Sequence, residues 1–134
     1  MKILLHGCNG RMGQVITRLS EMEGSDFEIV CGVDRDLNKF ENNYPVYGLL
    51  EQVPDNIKAD ALIDFSHHDC IEDILSFGKK TLTPLVICTS GFTQKEQNVI
   101  REASETVPIL MSANMSLGIN LLLALVEKSA PILR

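Results

Sequence analysis

The sequence predicts an α/β fold, a doubly wound and mostly parallel sheet with helices on both faces, in a single domain over residues 1–134. Three observations predict it. Short β-rich apolar runs alternate with longer segments of helical period, the pattern of parallel strands joined by crossover helices. A glycine-rich turn directly follows the first apolar run. The length of 134 residues, 45% of them apolar, suits one core and not two full domains; a chain this long buries roughly 68% of its unfolded surface.

The elements follow in order. Lys2 to His6 is the first strand. In Met12 to Met22 the apolar residues Met12, Val15, Ile16, Leu19 and Met22 recur at spacings of 3, 1, 3 and 3, so one face of a helix is expected to pack on the sheet. Phe27 to Val33, the next strand, completes a βαβ unit. Asn38 to Pro54 carries paired asparagines, two prolines and weak periodicity, which predicts an irregular excursion with a short strand near Val46-Tyr47. Ala61 to Phe65, Leu85 to Cys88 and Ile109 to Met111 are the later strands. Ser66 with Asp69 and Thr93 with Glu96 have capping-box spacing, each predicting a helix start. From Leu117 to Val126 apolar side chains point around the whole circumference of a helix, so neighbouring surfaces are expected to cover it. The segment 117–134 reads as a connector.

Composition narrows the function. The 18 acidic and 12 basic residues leave a formal charge of -6. No basic block is longer than Lys79-Lys80, so affinity from neutralising many nucleic-acid phosphates is excluded. No apolar stretch approaches the ~20 residues of a membrane span, and the first run is too short for a signal peptide. Cys8, Cys31, Cys70 and Cys88 lack C-x-x-C spacing and lie in or beside apolar stretches, which predicts buried reduced thiols in a cytoplasmic protein.

The run Gly7-Cys8-Asn9-Gly10-Arg11-Met12-Gly13 opens into the first helix. Gly7 allows a tight turn, Gly10 lets backbone approach a pyrophosphate, and Gly13 allows close packing. The helix N-terminus offers amides and partial positive charge, and Arg11 adds a cation, so an acidic protein can hold a diphosphate. A plain strand-to-helix turn is the alternative. Asp34, 21 positions after Gly13 at the end of the second strand, argues against it, because an acid there accepts the adenosine ribose hydroxyls. The order of strand, loop, helix, strand and acid is that of a Rossmann-type dinucleotide site. Asp34 favours NADH, while Arg35 can contact a 2′-phosphate, so both NADH and NADPH are expected to bind.

In such sheets ligands lie at the carboxyl ends of the strands. Three segments follow later strands: Asp64-Phe65-Ser66-His67-His68, Cys88-Thr89-Ser90-Gly91-Phe92, and Ser112-Ala113-Asn114-Met115-Ser116-Leu117-Gly118. His67-His68 is expected to be an exposed first helical turn. A metal site of His67, His68, Asp69 and Cys70 is not expected, because consecutive helical residues point in different directions.

The glycine loop, Asp34-Arg35, Asp64-Phe65-Ser66, Thr89-Ser90-Gly91-Phe92 and Asn114-Met115-Ser116-Leu117-Gly118 together resemble the N-terminal half of the 4-hydroxy-tetrahydrodipicolinate reductases, also called dihydrodipicolinate reductases. The resemblance spans essentially the whole chain. It implies that Gly7, Cys8, Asn9, Gly10, Arg11, Met12 and Gly13 hold the pyrophosphate and that Asp34 and Arg35 meet the adenosine ribose. It places Phe65 against the cofactor, and Cys88, Thr89, Ser90, Ser112, Ala113, Asn114 and Met115 around the nicotinamide. Thr89 and Ser90 would also meet a substrate carboxylate, and Cys88 departs from the glycine usual at its position.

The implied activity is hydride transfer from NAD(P)H to a cyclic unsaturated dicarboxylate in diaminopimelate and lysine biosynthesis. In the family, the helix at 117–134 leads into a domain that builds a homotetramer and carries a His-His-x-x-x-Lys segment and a Ser-Gly-Thr clamp. Neither motif occurs here, so no catalytic residue is expected in this chain, which would bind cofactor, turn over poorly, and be a monomer or weakly self-associating. The rival reading is a stand-alone NAD(P)-binding or redox-sensing module. Homoserine and aspartate dehydrogenases have comparable first loops, but their later segments are not recognised here.

Overall fold

The computed structural model describes residues 1–112 and 116–131. Its elements are β1 (Lys2–His6), α1 (Arg11–Ser20), β2 (Glu28–Val33), β3 (Val46–Tyr47), β4 (Ala61–Asp64), α2 (Ile71–Thr81), β5 (Leu85–Ile87), α3 (Gln94–Ala103), β6 (Ile109–Met111) and α4 (Leu117–Ser129), with single 3-10 turns at Leu50–Gln52 and His68–Cys70. The described strands form one sheet in the order β3-β2-β1-β4-β5-β6, and every neighbouring pair is parallel. The winding reverses between β1 and β4. In a doubly wound sheet this switch point opens the crevice that takes a dinucleotide.

Strand alternation divides the side chains between two faces. On one, Leu4 pairs in register with Leu62, and Leu62 with Leu85; all three are buried against Ile71, Ile74 and Leu75 of α2 and Ile100 and Ala103 of α3. On the other, Leu5, Ile63, Val86 and Leu110 form a row across β1, β4, β5 and β6. Leu5 is fully buried under α1 together with Cys8 and Ile29, whereas Leu110 at the far end is 59% exposed.

Two packing expectations change. Met12, Val15, Leu19 and Met22 do not face the sheet; all four are exposed. The buried residues of α1 are Gly13 and Thr17, with Ile16 packed beside them. Gly13 lies against the carbonyls of Gly7 and Cys8, and the Thr17 hydroxyl meets Tyr44 Oη at 2.6 Å. These polar and steric contacts set the rotation of the helix, and of its apolar stripe only Ile16 turns inward.

The second change concerns α4. None of its residues is buried, so the expected cover is not found among the described residues. No helix of those residues is long and apolar enough to cross a membrane. All four cysteines are free thiols, but only Cys8 and Cys31 are buried, while Cys70 and Cys88 are half-buried near loop ends.

Candidate cofactor site

The loop after β1 is built on backbone geometry. Gly7 turns with φ +77°, and its amide donates to the Val33 carbonyl at 2.8 Å. A Cβ there would lie 2.7 Å from the Phe65 carbonyl oxygen, so the turn excludes any larger residue in both conformation and space. The Gly10 amide closes the turn onto the Gly7 carbonyl at 3.0 Å. Gly10 is also the N-cap of α1 and caps nothing with a side chain. The amides of Arg11, Met12 and Gly13 therefore keep no intrahelical acceptor, and the helix presents them at its open end.

Within this loop, Cys8 and Asn9 are buried. Cys8 Sγ packs where Gly32 has no Cβ, and burial pushes its thiol up to about 12, further raised by the charge of Asp34. The Asn9 side chain donates to the Asp36 carbonyl and accepts from Asn42 Nδ2 at 2.9 Å. Neither side chain is open to a ligand.

Asp34 grips the loop from the end of β2. One carboxylate oxygen accepts from the Asn9 amide at 2.9 Å and the other from the Asp36 amide at 3.0 Å. Each oxygen keeps lone-pair capacity for ribose hydroxyls. The side chains of Arg11 and Arg35 have no hydrogen bond or ion pair among the described residues. Gly7, Gly10, Asp34, Arg35, Phe65 and Ser66 border one groove of about 340 Å³ at the switch point.

Sequence reasoning missed the brace under the loop. Asn42 accepts from Gln14 Nε2 at 3.0 Å as well as holding Asn9, and Tyr44 holds Thr17. The excursion after β2 is thus a clamp on the glycine loop and, through Gln14 and Thr17, on α1. Its asparagines were visible, but their partners lie about thirty positions away, a pairing that local pattern does not encode.

Also missed was a polar row at the edge of the apolar core. His6 ends β1 and Asp64 ends β4, directly opposite in register. His6 Nδ1 lies 2.9 Å from Asp64 Oδ1, which also accepts from the Ser66 amide at 3.0 Å. Thr89 Oγ1 donates to Asp64 Oδ2 at 2.7 Å. Asp64 is fully buried, as are His6 and Thr89 in large part. Burial alone would raise the carboxyl pKa, but the hydrogen bonds from His6, Ser66 and Thr89 outweigh it and hold the group below its usual range. The signal was a polar residue closing the apolar run of each strand.

Thr89 also borders a second cleft of about 320 Å³, with Phe65, Ser66, His67, His68, Cys88 and Ser90. The two clefts adjoin along Phe65, Ser66 and His67. Ser90 is exposed, whereas the Cys88 thiol is half-buried and is pushed up to about 11 by burial and then by Asp64. Ser112 follows β6, its amide on the Ile87 carbonyl at 3.1 Å. Ala113, Asn114 and Met115 lie outside the described residues.

The loop after β4 corrects two expectations. Ser66 is not a helix cap, since its hydroxyl meets the neighbouring His67 carbonyl; His67 is the N-cap, accepting the Asp69 amide at 3.5 Å. Because His67 is extended (φ -119°, ψ 151°) and not helical, its ring folds beside that of His68, with centroids 4.2 Å apart. Ligand atoms of His67, His68 and Asp69 lie within 4.8 Å of one another, so the expected divergence of these side chains does not hold. The Thr93–Glu96 capping box forms in full, with reciprocal contacts of 3.3 Å and 2.6 Å. Cys70 borders the first groove and is not in the cluster.

A family model described as "Dihydrodipicolinate reductase, N-terminus" matches residues 1–115. The chain is 43% identical over 133 residues to a 4-hydroxy-tetrahydrodipicolinate reductase of Caldanaerobacter subterraneus subsp. tengcongensis, covering 99% of this chain and 51% of that protein. A Clostridium perfringens protein of the same name is 41% identical with the same coverage. The chain thus spans about half the length of these curated relatives. Among solved structures, the dipicolinate-bound dihydrodipicolinate reductase from Paenisporosarcina sp. TG-14 superposes with a TM-score of 0.80 at 20% identity, over 97% of this chain and 53% of that one. The Bordetella pertussis WlbA dehydrogenase, in complex with NADH and UDP-GlcNAcA, gives 0.72 at 14% identity, over 96% and 42%. At these identities the two structures establish the shared fold.

Proposed function

The chain belongs to the dihydrodipicolinate reductase family, whose N-terminal part it matches, and from that premise we propose that residues 1–134 are the dinucleotide-binding domain of an NAD(P)H-dependent 4-hydroxy-tetrahydrodipicolinate reductase. The observation that carries the reading is the conjunction at the β1/β4 switch point. An uncapped helix start, a glycine turn with no room for a Cβ and a strand-end aspartate meet in one groove.

The residues fit a nicotinamide dinucleotide. The amides of Arg11, Met12 and Gly13 and the Arg11 guanidinium would take the pyrophosphate, with Gly7, Cys8, Asn9 and Gly10 contributing backbone alone. Asp34 would accept the adenosine ribose hydroxyls, and Arg35 would take a 2′-phosphate. Phe65, Cys88, Thr89, Ser90 and Ser112 would border the nicotinamide end. When bound, the cofactor supplies the hydride for a cyclic dicarboxylate acceptor. This chain's part is to orient that cofactor; no residue of the chain is assigned the accompanying proton.

A cytoplasmic setting accompanies the reading, and the four free thiols favour it. The uncovered apolar surface of α4, on which Leu121, Leu122 and Leu125 are each more than half exposed, favours the reductase reading over a stand-alone redox-sensing module.

Calorimetric titration with NADH and NADPH tests cofactor binding, and Arg35→Ala tests the dual specificity. The variant is expected to lose about tenfold for NADPH, the scale of one charge-assisted contact, and little for NADH. Equal losses would remove Arg35 from the phosphate. Mixed with NADPH and 4-hydroxy-tetrahydrodipicolinate, residues 1–134 are expected to bind cofactor and turn over poorly; robust absorbance loss would overturn the assignment of no catalytic group.

A further inference from the structure

The second cleft has a wall whose hydrogen-bonding polarity is set from behind. Thr89 Oγ1 gives its proton to Asp64 Oδ2 at 2.7 Å, and Asp64 is fully buried. The other carboxylate oxygen is engaged by His6 Nδ1 and the Ser66 amide at 2.9 and 3.0 Å. A hydroxyl has one proton and two lone-pair directions. With the proton held by a buried carboxylate, only lone pairs remain for a ligand. Releasing it would leave Asp64 Oδ2 buried without that donor, a cost comparable to the bond gained elsewhere.

We infer that Thr89 is a specificity-determining acceptor, which binds a hydrogen-bond donor of the ligand and disfavours an anion. This rests on the cofactor reading above and sharpens it. At the nicotinamide end the matching donor is the amino group of the 3-carboxamide. An approaching carboxylate would meet lone pairs, with the charge of Asp64 directly behind them. The neighbouring Ser90 has the opposite character: it is exposed, borders the same cleft, and has no hydrogen bond among the described residues, so its proton is available to a carboxylate. The adjacent hydroxyls therefore divide the work that resemblance assigns to both, Thr89 reading the carboxamide and Ser90 the substrate carboxylate.

The test compares three probes by calorimetry: NADH, reduced 3-acetylpyridine adenine dinucleotide, in which a methyl replaces the carboxamide amino group, and ADP-ribose, which has no nicotinamide. Unmodified protein is expected to bind NADH about tenfold more tightly than the acetylpyridine form. Thr89→Val should remove that difference by weakening NADH about tenfold, with the acetylpyridine form and ADP-ribose unchanged, and Thr89→Ser should restore it. Equal affinity of unmodified protein for NADH and the acetylpyridine form overturns the inference without recourse to any variant, as does an equal loss for both in Thr89→Val. Failure of unmodified protein to bind NADH and ADP-ribose at all would instead overturn the cofactor reading itself.

Discussion

Asp64 is the hub of the strand ends. It ends β4 inside the core, ties β1 through His6, the next loop through Ser66, and the loop after β5 through Thr89. Replacing it with Asn leaves these donors facing an amide that supplies fewer acceptors and two protons of its own. Asp64→Asn is expected to cost about 2 kcal/mol at pH 7, the range for a buried charged hydrogen-bond partner. Its folded pKa is depressed, so the stabilisation is fully present above the unfolded carboxyl value of ~3.9 and is lost as pH falls through the folded value. Urea unfolding at several pH values should show the gap between native protein and variant narrowing below about pH 4. A gap that stays constant into acid would contradict an ionised Asp64.

Elements show where local rules hold and where packing overrides them. Thr93 and Glu96 form the box their spacing predicts, because a capping box needs only four consecutive residues. The end of α2 follows no such rule. Its C-cap, Leu82, adopts the left-handed conformation (φ 56°, ψ 27°) that usually selects glycine, and the side chain is 67% exposed. Little burial is at stake there, so Leu82→Gly is expected to stabilise by about 0.5–1 kcal/mol, the left-handed strain relieved less the entropy of glycine. Thermal melting reads this directly, and a lower melting temperature would show that the exposed leucine packs more than its exposure suggests. In α1, local pattern held only for Ile16. Five apolar residues predicted an inward face, but Gly13 and Thr17 occupy it because the loop carbonyls and Tyr44 demand them there.

At the scale of the molecule, the sheet is covered unevenly. The face carrying α2 and α3 closes over a continuous core, whereas the α1 face is sealed around Leu5 and opens toward Leu110. The groove proposed for the dinucleotide joins the ends of β1, β2 and β4, so ligand binding there should stabilise the whole fold. Ligand at one hundred times its dissociation constant adds about 2.7 kcal/mol. For a chain of this size that raises the melting temperature by roughly 10 °C. Adding NADH at that excess in a melting experiment checks it, and an unchanged midpoint would count against binding to the folded state.

Much of this fold is legible from residues alone. Strand, glycine loop, helix, strand and Asp34 are all fixed by short-range chemistry: Gly7 by a turn no other residue can make, the strands by apolar runs whose predicted ends lie within one residue of those observed. The family resemblance rests on the same short motifs. What only tertiary structure decided are the pairings between distant positions: His6 with Asp64, Asp64 with Thr89, Asn42 with Asn9, and the rotation of α1. Sequence pattern reports which residues avoid water, and it reports local backbone geometry. It does not report which buried polar groups find one another, because those partners are set by strand order and register, and each must be satisfied by whatever the fold brings within reach.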